Sequence, residues 1–110
     1  MIVKQVSVFV ENTVGRLADL TKILTDNNID LKASTIAETV DFGILRCIVE
    51  EPEKTVKILV ENGFSASISE VTGVSLEDKP GGLHKVLAVL AEAGIAVNYI
   101  YSTIKSAEGK

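Results

Sequence analysis

The sequence predicts an α+β chain: a ferredoxin-like βαββαβ unit followed by a second, C-terminally incomplete βαβ unit, each with an antiparallel sheet and its helices on one face. Three observations predict it. Apolar residues alternate in some segments and recur at helical spacing in others, giving strand–helix–strand–strand–helix–strand over roughly the first seventy residues. A strand–turn–helix pattern then restarts, in ungapped register 66 positions further on. The composition, 46% hydrophobic and 24% charged over 110 residues without a Trp, suits a small core built from Val, Ile, Leu and Ala.

Each element has its own warrant. In "KQVSVFVE", Val6, Val8 and Val10 face one way and Ser7 and Phe9 the other, the pattern of a half-buried strand. In "RLADLTKILTDNN", Leu17, Leu20, Ile23 and Leu24 form a helical stripe, and Asn27–Asn28 is a left-handed stop. "IDLKASTIAE" reads as a second strand, "TVDFG" as a turn and "ILRCIVE" as a third strand with Leu45, Cys47 and Val49 on one face. "EPEKTVKILVENG" has Pro at a helix start, glutamates in its first turn and Gly63 as its stop, and Val56, Leu59 and Val60 are expected to face inward. "FSASISEVTGVSLE" is extended and long enough for two consecutive strands. The fixed crossover hand places both helices on one face of the sheet.

The restart consists of "VTGVSLE" as a strand, "GGLHKVLAVLAEAG" as a helix ending on Gly94, and "IAVNYIYSTI" as a strand. The 66-residue shift superposes Glu11 on Glu77, Gly15 on Gly81, Leu17 on Leu83, Leu24 on Leu90, Asn28 on Gly94, Ile29 on Ile95 and Gly43 on Gly109. We therefore expect one domain over residues 1–70 and a second over 71–110 that lacks its third strand, second helix and fourth strand. In this fold the third strand lies between the first and second, so the expectation is a fragment of a longer protein or a strand supplied by a partner. Phe9, Ile44 and Ile48 point away from the helices, toward a face that needs cover from a second domain or subunit.

The net charge of −4 and the scattered Lys and Arg argue against nucleic-acid binding, which draws its affinity from a basic surface. The single Cys47 fits a reducing compartment. No signal-like leader and no apolar run of membrane-spanning length is found, and the reading is of a soluble cytoplasmic protein.

The turns "ENTVGRL" at 11–17 and "EDKPGGL" at 77–83 share the pattern E-[ND]-x-x-G-x-L between a first strand and a first helix. On Glu11, Asn12, Gly15 and Leu17, and Glu77, Asp78, Pro80, Gly81 and Leu83, together with the repeated element order, the chain resembles the ACT domain family. "NNIDLKASTIAETVDFGILRCIVEEPEKTVKIL" follows the same family's pattern, and tandem ACT proteins are the most similar. The resemblance implies a non-catalytic regulatory protein. It also implies a small amino acid or related metabolite bound where domains meet, pairing into a homodimer or higher homo-oligomer, and a regulated enzyme of amino-acid metabolism as partner. No cofactor, metal or catalytic residue is implied.

The residues themselves suit an amino acid. A helix N-terminus offers unpaired N–H groups and partial positive charge to a carboxylate. Gly15, Gly81 and Gly82 allow close approach to the backbone, and Asn12 or Asp78 supplies an acceptor for an ammonium group. The candidate ligand residues are thus Asn12, Thr13, Val14, Gly15, Arg16 and Leu17, and Asp78, Lys79, Pro80, Gly81, Gly82 and Leu83. The competing reading makes Asn12 and Asp78 simple helix caps and the glycines simple turn residues. The resemblance adds second-strand residues facing a neighbouring domain's loop: Asp30, Lys32 and Ser34, then Asn98 and Tyr101. Val14 stands where the family often has Pro, so "KPGG" is the better match. Tyr99 and Tyr101 either hold a ligand side chain or pack between domains.

His84 has no partners at metal spacing and reads as structural or solvent-facing. Cys47 reads as a small apolar residue, and Glu50, Glu51 and Glu53 as a solvated helix start. The other open readings are a small regulatory subunit of acetolactate synthase, an oligomerisation module without ligand, and an acylphosphatase-like enzyme. An arginine-bearing phosphate loop for the last is missing, and an RNA module of this fold would need stacking aromatics that "ILRCIVE" lacks.

Overall fold

A computed structural model describes residues 1–38 and 41–103, all except the side chain of residue 38. The elements are β1 (Ile2–Glu11), α1 (Arg16–Asp26), β2 (Ala33–Glu38), β3 (Phe42–Ile48), α2 (Pro52–Glu61), β4 (Ser65–Thr72) and α3 (Gly82–Glu92). The strands form one antiparallel sheet in the order β2-β3-β1-β4, the ferredoxin-like arrangement.

Alternation along β1 puts Val6, Val8 and Val10 into the core. Register pairs Val6 with Cys47 and Val8 with Leu45, so the neighbouring strand points the same way. Leu20 and Leu24 from α1, and Leu59 from α2, close over them, with Phe64 beside. Asn28 takes φ 58° and Gly63 φ 88°, so both helices stop on left-handed residues as their sequences predict. One inward residue differs. Val60 is exposed, and Thr55 is buried in its place, one turn before Leu59. Its hydroxyl donates to the Glu51 carbonyl at 2.9 Å, which removes the cost of burying it.

The second repeat differs from expectation in its strands. Among the described residues no strand follows Thr72, so "VTGVSLE" contributes only its first two residues to β4, and residues 95–103 of "IAVNYIYSTI" are irregular. The first repeat shows why: β1 and β2 both pair with β3 and not with each other. The same shift carries the start of β3 to positions 108–110, which lie outside the described residues, and among the described residues the two segments have no ladder partner. The helix is independent of that pairing. α1 and α3 are both 11 residues long and start 66 positions apart.

The sheet face away from α1 and α2 is partly covered. Gln5, buried on this face, donates from Nε2 to Ser69 Oγ at 3.1 Å and to Tyr99 Oη at 3.0 Å, and accepts from Tyr101 Oη at 2.6 Å. The cover expected for this face thus begins with the chain's own Tyr99 and Tyr101.

Candidate functional site

The two glycine turns have the same backbone. Gly15 has φ 85° and ψ −10°, Gly81 φ 88° and ψ −11°, and each is the N-cap of its helix. The hydrogen bonds repeat in the same register. Arg16 N donates to Thr13 O at 3.3 Å and Gly82 N to Lys79 O at 3.0 Å. Asp19 N donates to Gly15 O at 2.9 Å and Lys85 N to Gly81 O at 3.1 Å. At the far ends, Ile29 N donates to Leu24 O at 2.8 Å and Ile95 N to Leu90 O at 2.9 Å. Left-handed φ strains any residue with a β-carbon, so each turn demands glycine there. The N-cap positions belong to Gly15 and Gly81 rather than to Asn12 and Asp78, so neither helix start carries an N-cap side chain. The amides of the first turn are those a helix leaves without an internal acceptor.

At the first turn lies a cleft of about 360 Å³ lined by Val10, Glu11, Asn12, Thr13, Leu17, Ile36 and Gly43. Val10, Gly43 and Ile36 lie on the helix side of β1, β3 and β2. A β-carbon on Gly43 would meet Ile36 Cγ2 at 3.5 Å, so the glycine keeps the floor open. Arg16 is held at the rim: its Nε pairs with Glu11 at 3.3 Å, and its guanidinium lies 3.9 Å from the Phe64 ring centre. The cleft therefore combines apolar walls from Val10, Leu17 and Ile36 with polar groups from residues 11–13.

The structure brings Asn12, Thr13 and Leu17 together at this cleft, with Gly15 in the turn behind and Val14 fully exposed. Asp30 lies elsewhere. It lines a second hollow of about 250 Å³ with Asn27, Asn28, Glu50, Glu51 and Lys54, at the opposite end of α1. Lys32 pairs with Glu50 at 3.7 Å. Asp78, Lys79, Pro80 and Leu83 are exposed in the second turn, and Gly82 is buried. Asn98 is exposed, and Tyr101 sits on Gln5 rather than at either turn. Ile36 and Gly43 were not singled out from sequence. Ile36 follows Ser34 by two, so β2's alternation already placed it on the helix side.

Cys47 is buried, and burial pushes its thiol pKa up to about 11, which suits a neutral core residue. His84 is exposed. Glu53 pairs with Lys4 at 2.6 Å; this contact lowers the carboxyl's pKa and raises the amine's. Among the described residues no group of His, Cys, Asp and Glu is arranged to hold a metal, and no helix is long and apolar enough to cross a membrane.

The family model for the ACT domain pair matches residues 1–110. The chain belongs to the ACT domain pair family. Protein BT0572 from Bacteroides thetaiotaomicron, known from a crystal structure, is 46% identical; the match covers 96% of this chain and 73% of that one, with a TM-score of 0.88. The ligand-free regulatory subunit of aspartate kinase from Thermus thermophilus shares the fold at 16% identity, covering 91% and 76% of the two chains with a TM-score of 0.66. Aspartokinase alpha and beta subunits share it at 20% identity, covering 93% and 80% with a TM-score of 0.53. No curated protein matches the chain.

Proposed function

We propose that this ACT domain pair is a non-catalytic regulatory protein that binds a small amino acid or related metabolite at the glycine turns and acts allosterically in amino-acid metabolism. The carrying observation is the open cleft at the first turn, where residues 11–13 and Leu17, at a helix start without a side-chain cap, meet apolar walls. The carboxylate meets the amides of the first turn of α1, Asn12 or Glu11 accepts from the ammonium, and a small side chain lies against Leu17 and Ile36. A partner domain or subunit closes the open side, consistent with homo-oligomer formation. Binding then favours one assembly over another, which is how a binding free energy becomes regulation of a partner enzyme.

In this reading the chain divides near residue 70, the protein works in the cytoplasm, and it takes neither nucleic acid nor cofactor. The fold shared with the regulatory subunit of aspartate kinase from Thermus thermophilus supports a regulatory role over an enzymatic one. Titration calorimetry and thermal shift with the amino acids, each on the full protein, test it. The β-carbon of Gly43→Val meets Ile36 Cγ2 at 3.5 Å and Ala37 O at 3.7 Å, ordinary contacts, and its methyls add bulk to the floor; loss of the heat is expected, with far-UV circular dichroism to check that the fold is kept. Silence from every amino acid refutes the reading; unchanged heat in Gly43→Val moves the site elsewhere.

A further inference from the structure

The 66-residue register carries Ala33, Thr35 and Ala37 onto Tyr99, Tyr101 and Thr103. The first three face away from the helices, because β2 pairs Thr35 with Arg46 and Ala37 with Ile44 on that side of the sheet. Their counterparts are residues by which the second repeat touches the first. Tyr99 and Tyr101 hydrogen-bond to Gln5, the Arg46 guanidinium lies 3.9 Å from the Tyr99 ring centre, and Thr103 Oγ1 donates to the Lys32 carbonyl at 3.0 Å. From this we infer that the second repeat lies on the back face of the first unit's sheet, opposite α1 and α2, through the side of residues 99–103 that corresponds to the back face of β2.

The chain's own path supports this. Beyond β4 the ladder with β1 continues through Gly73, whose N donates to the Met1 carbonyl at 2.7 Å and whose carbonyl accepts from the Met1 amine at 3.0 Å. A β-carbon on Gly73 would come within 2.8 Å of Val3 Cγ2. Val3 shares the back face with Gln5, two residues on, so Gly73 leaves room on that face where β4 ends.

The contact is also specific. Gln5 is fully buried in a mostly aliphatic protein, yet both ends of its amide are hydrogen-bonded. An unsatisfied amide there would be costly, so the tyrosine hydroxyls and Gln5 require one another. Phe9 and Phe42 are half exposed at the other end of the same face. The match to BT0572 covers 96% of the chain at a TM-score of 0.88, so the placement of the second repeat on the first recurs in that structure.

Tyr99 and Tyr101 are the chain's only tyrosines and there is no Trp, so tyrosine emission reports on this contact alone. Acrylamide quenching of the full protein is the test. Shielding of the tyrosines relative to free tyrosine, unchanged on dilution, is expected. Gln5→Ala and Gly73→Val each raise quenching severalfold while far-UV circular dichroism shows the first unit folded. Tyr101→Phe, which keeps the ring and leaves Tyr99 as sole reporter, raises it as well. Emission in the folded protein as quenchable as free tyrosine overturns the inference. So does shielding lost on dilution, which would assign the contact to two copies, or shielding that survives Gly73→Val.

Discussion

At the start of α1, the Glu11 carbonyl oxygen accepts from Thr13 N at 2.8 Å, and Arg16 leans back over Glu11 and Phe64. At the start of α3, the Glu77 carbonyl oxygen instead lies against Gly82, where any β-carbon would run into it. Otherwise the two turns share dihedrals and hydrogen bonds. The second has the better sequence match to the ACT loop, yet the cleft of about 360 Å³ borders the first. The motif shapes a backbone, whereas the walls come from β2 and β3. Those strands are formed beside the first turn, and no counterparts are seen among the described residues beside the second.

The sharpest way to break this comparison is at residue 82. Gly82→Val is expected to loosen the second turn at a cost of about 1–3 kcal/mol, the usual range for overpacking. Amide exchange in α3 should speed accordingly while α1 is unchanged; equal exchange in both helices would contradict the close approach of Glu77. Gly15→Ala and Gly81→Ala should each cost about 1–2 kcal/mol for the left-handed backbone, with similar losses read from exchange in α1 and α3. Arg16→Ala is the mildest change. It should cost about 0.5–1 kcal/mol in thermal unfolding through loss of the Phe64 contact, less in high salt, because the Glu11 pair is partly exposed.

A pH experiment isolates the first unit's core. The folded thiol of Cys47 holds its proton to about pH 11 against an ordinary value of 9.0. The unfolded chain therefore releases this proton first. The contribution is fully present below pH 9 and is lost as pH rises through 11. Unfolding midpoints should fall across that window, and Cys47→Ala, although less stable at neutral pH, should lose less across it. Tyr101, pushed up to about 12 chiefly by burial against an ordinary 10.0, should keep its proton well above the ordinary tyrosine range.

Much of this fold was legible because single-residue periodicities carried it. Val6, Val8 and Val10 alternate, Leu20 and Leu24 lie one turn apart, and Asn28 and Gly63 occupy the left-handed stops. Thr55 was not legible, since its burial depends on a hydrogen bond back to Glu51 that composition cannot show. The strands of the second repeat failed for a related reason: alternation states what a segment can pair with, not whether a partner lies beside it. At the site, residues 12–17 follow from the turn motif. Ile36 and Gly43 join them only through the register of β1, β3 and β2. Asp30, expected to face a neighbouring domain's loop, lies at the end of α1 opposite this turn.

The most direct test of the amino-acid seat is a backbone amide spectrum of the full protein recorded while each amino acid is added in turn. The account predicts that at least one moves the amides of residues 12–18 together with Ile36 and Gly43, saturably, and before those of residues 78–84. Resonances at these positions that stay still for every amino acid, or that move only around Asp30 and Lys54, would contradict it.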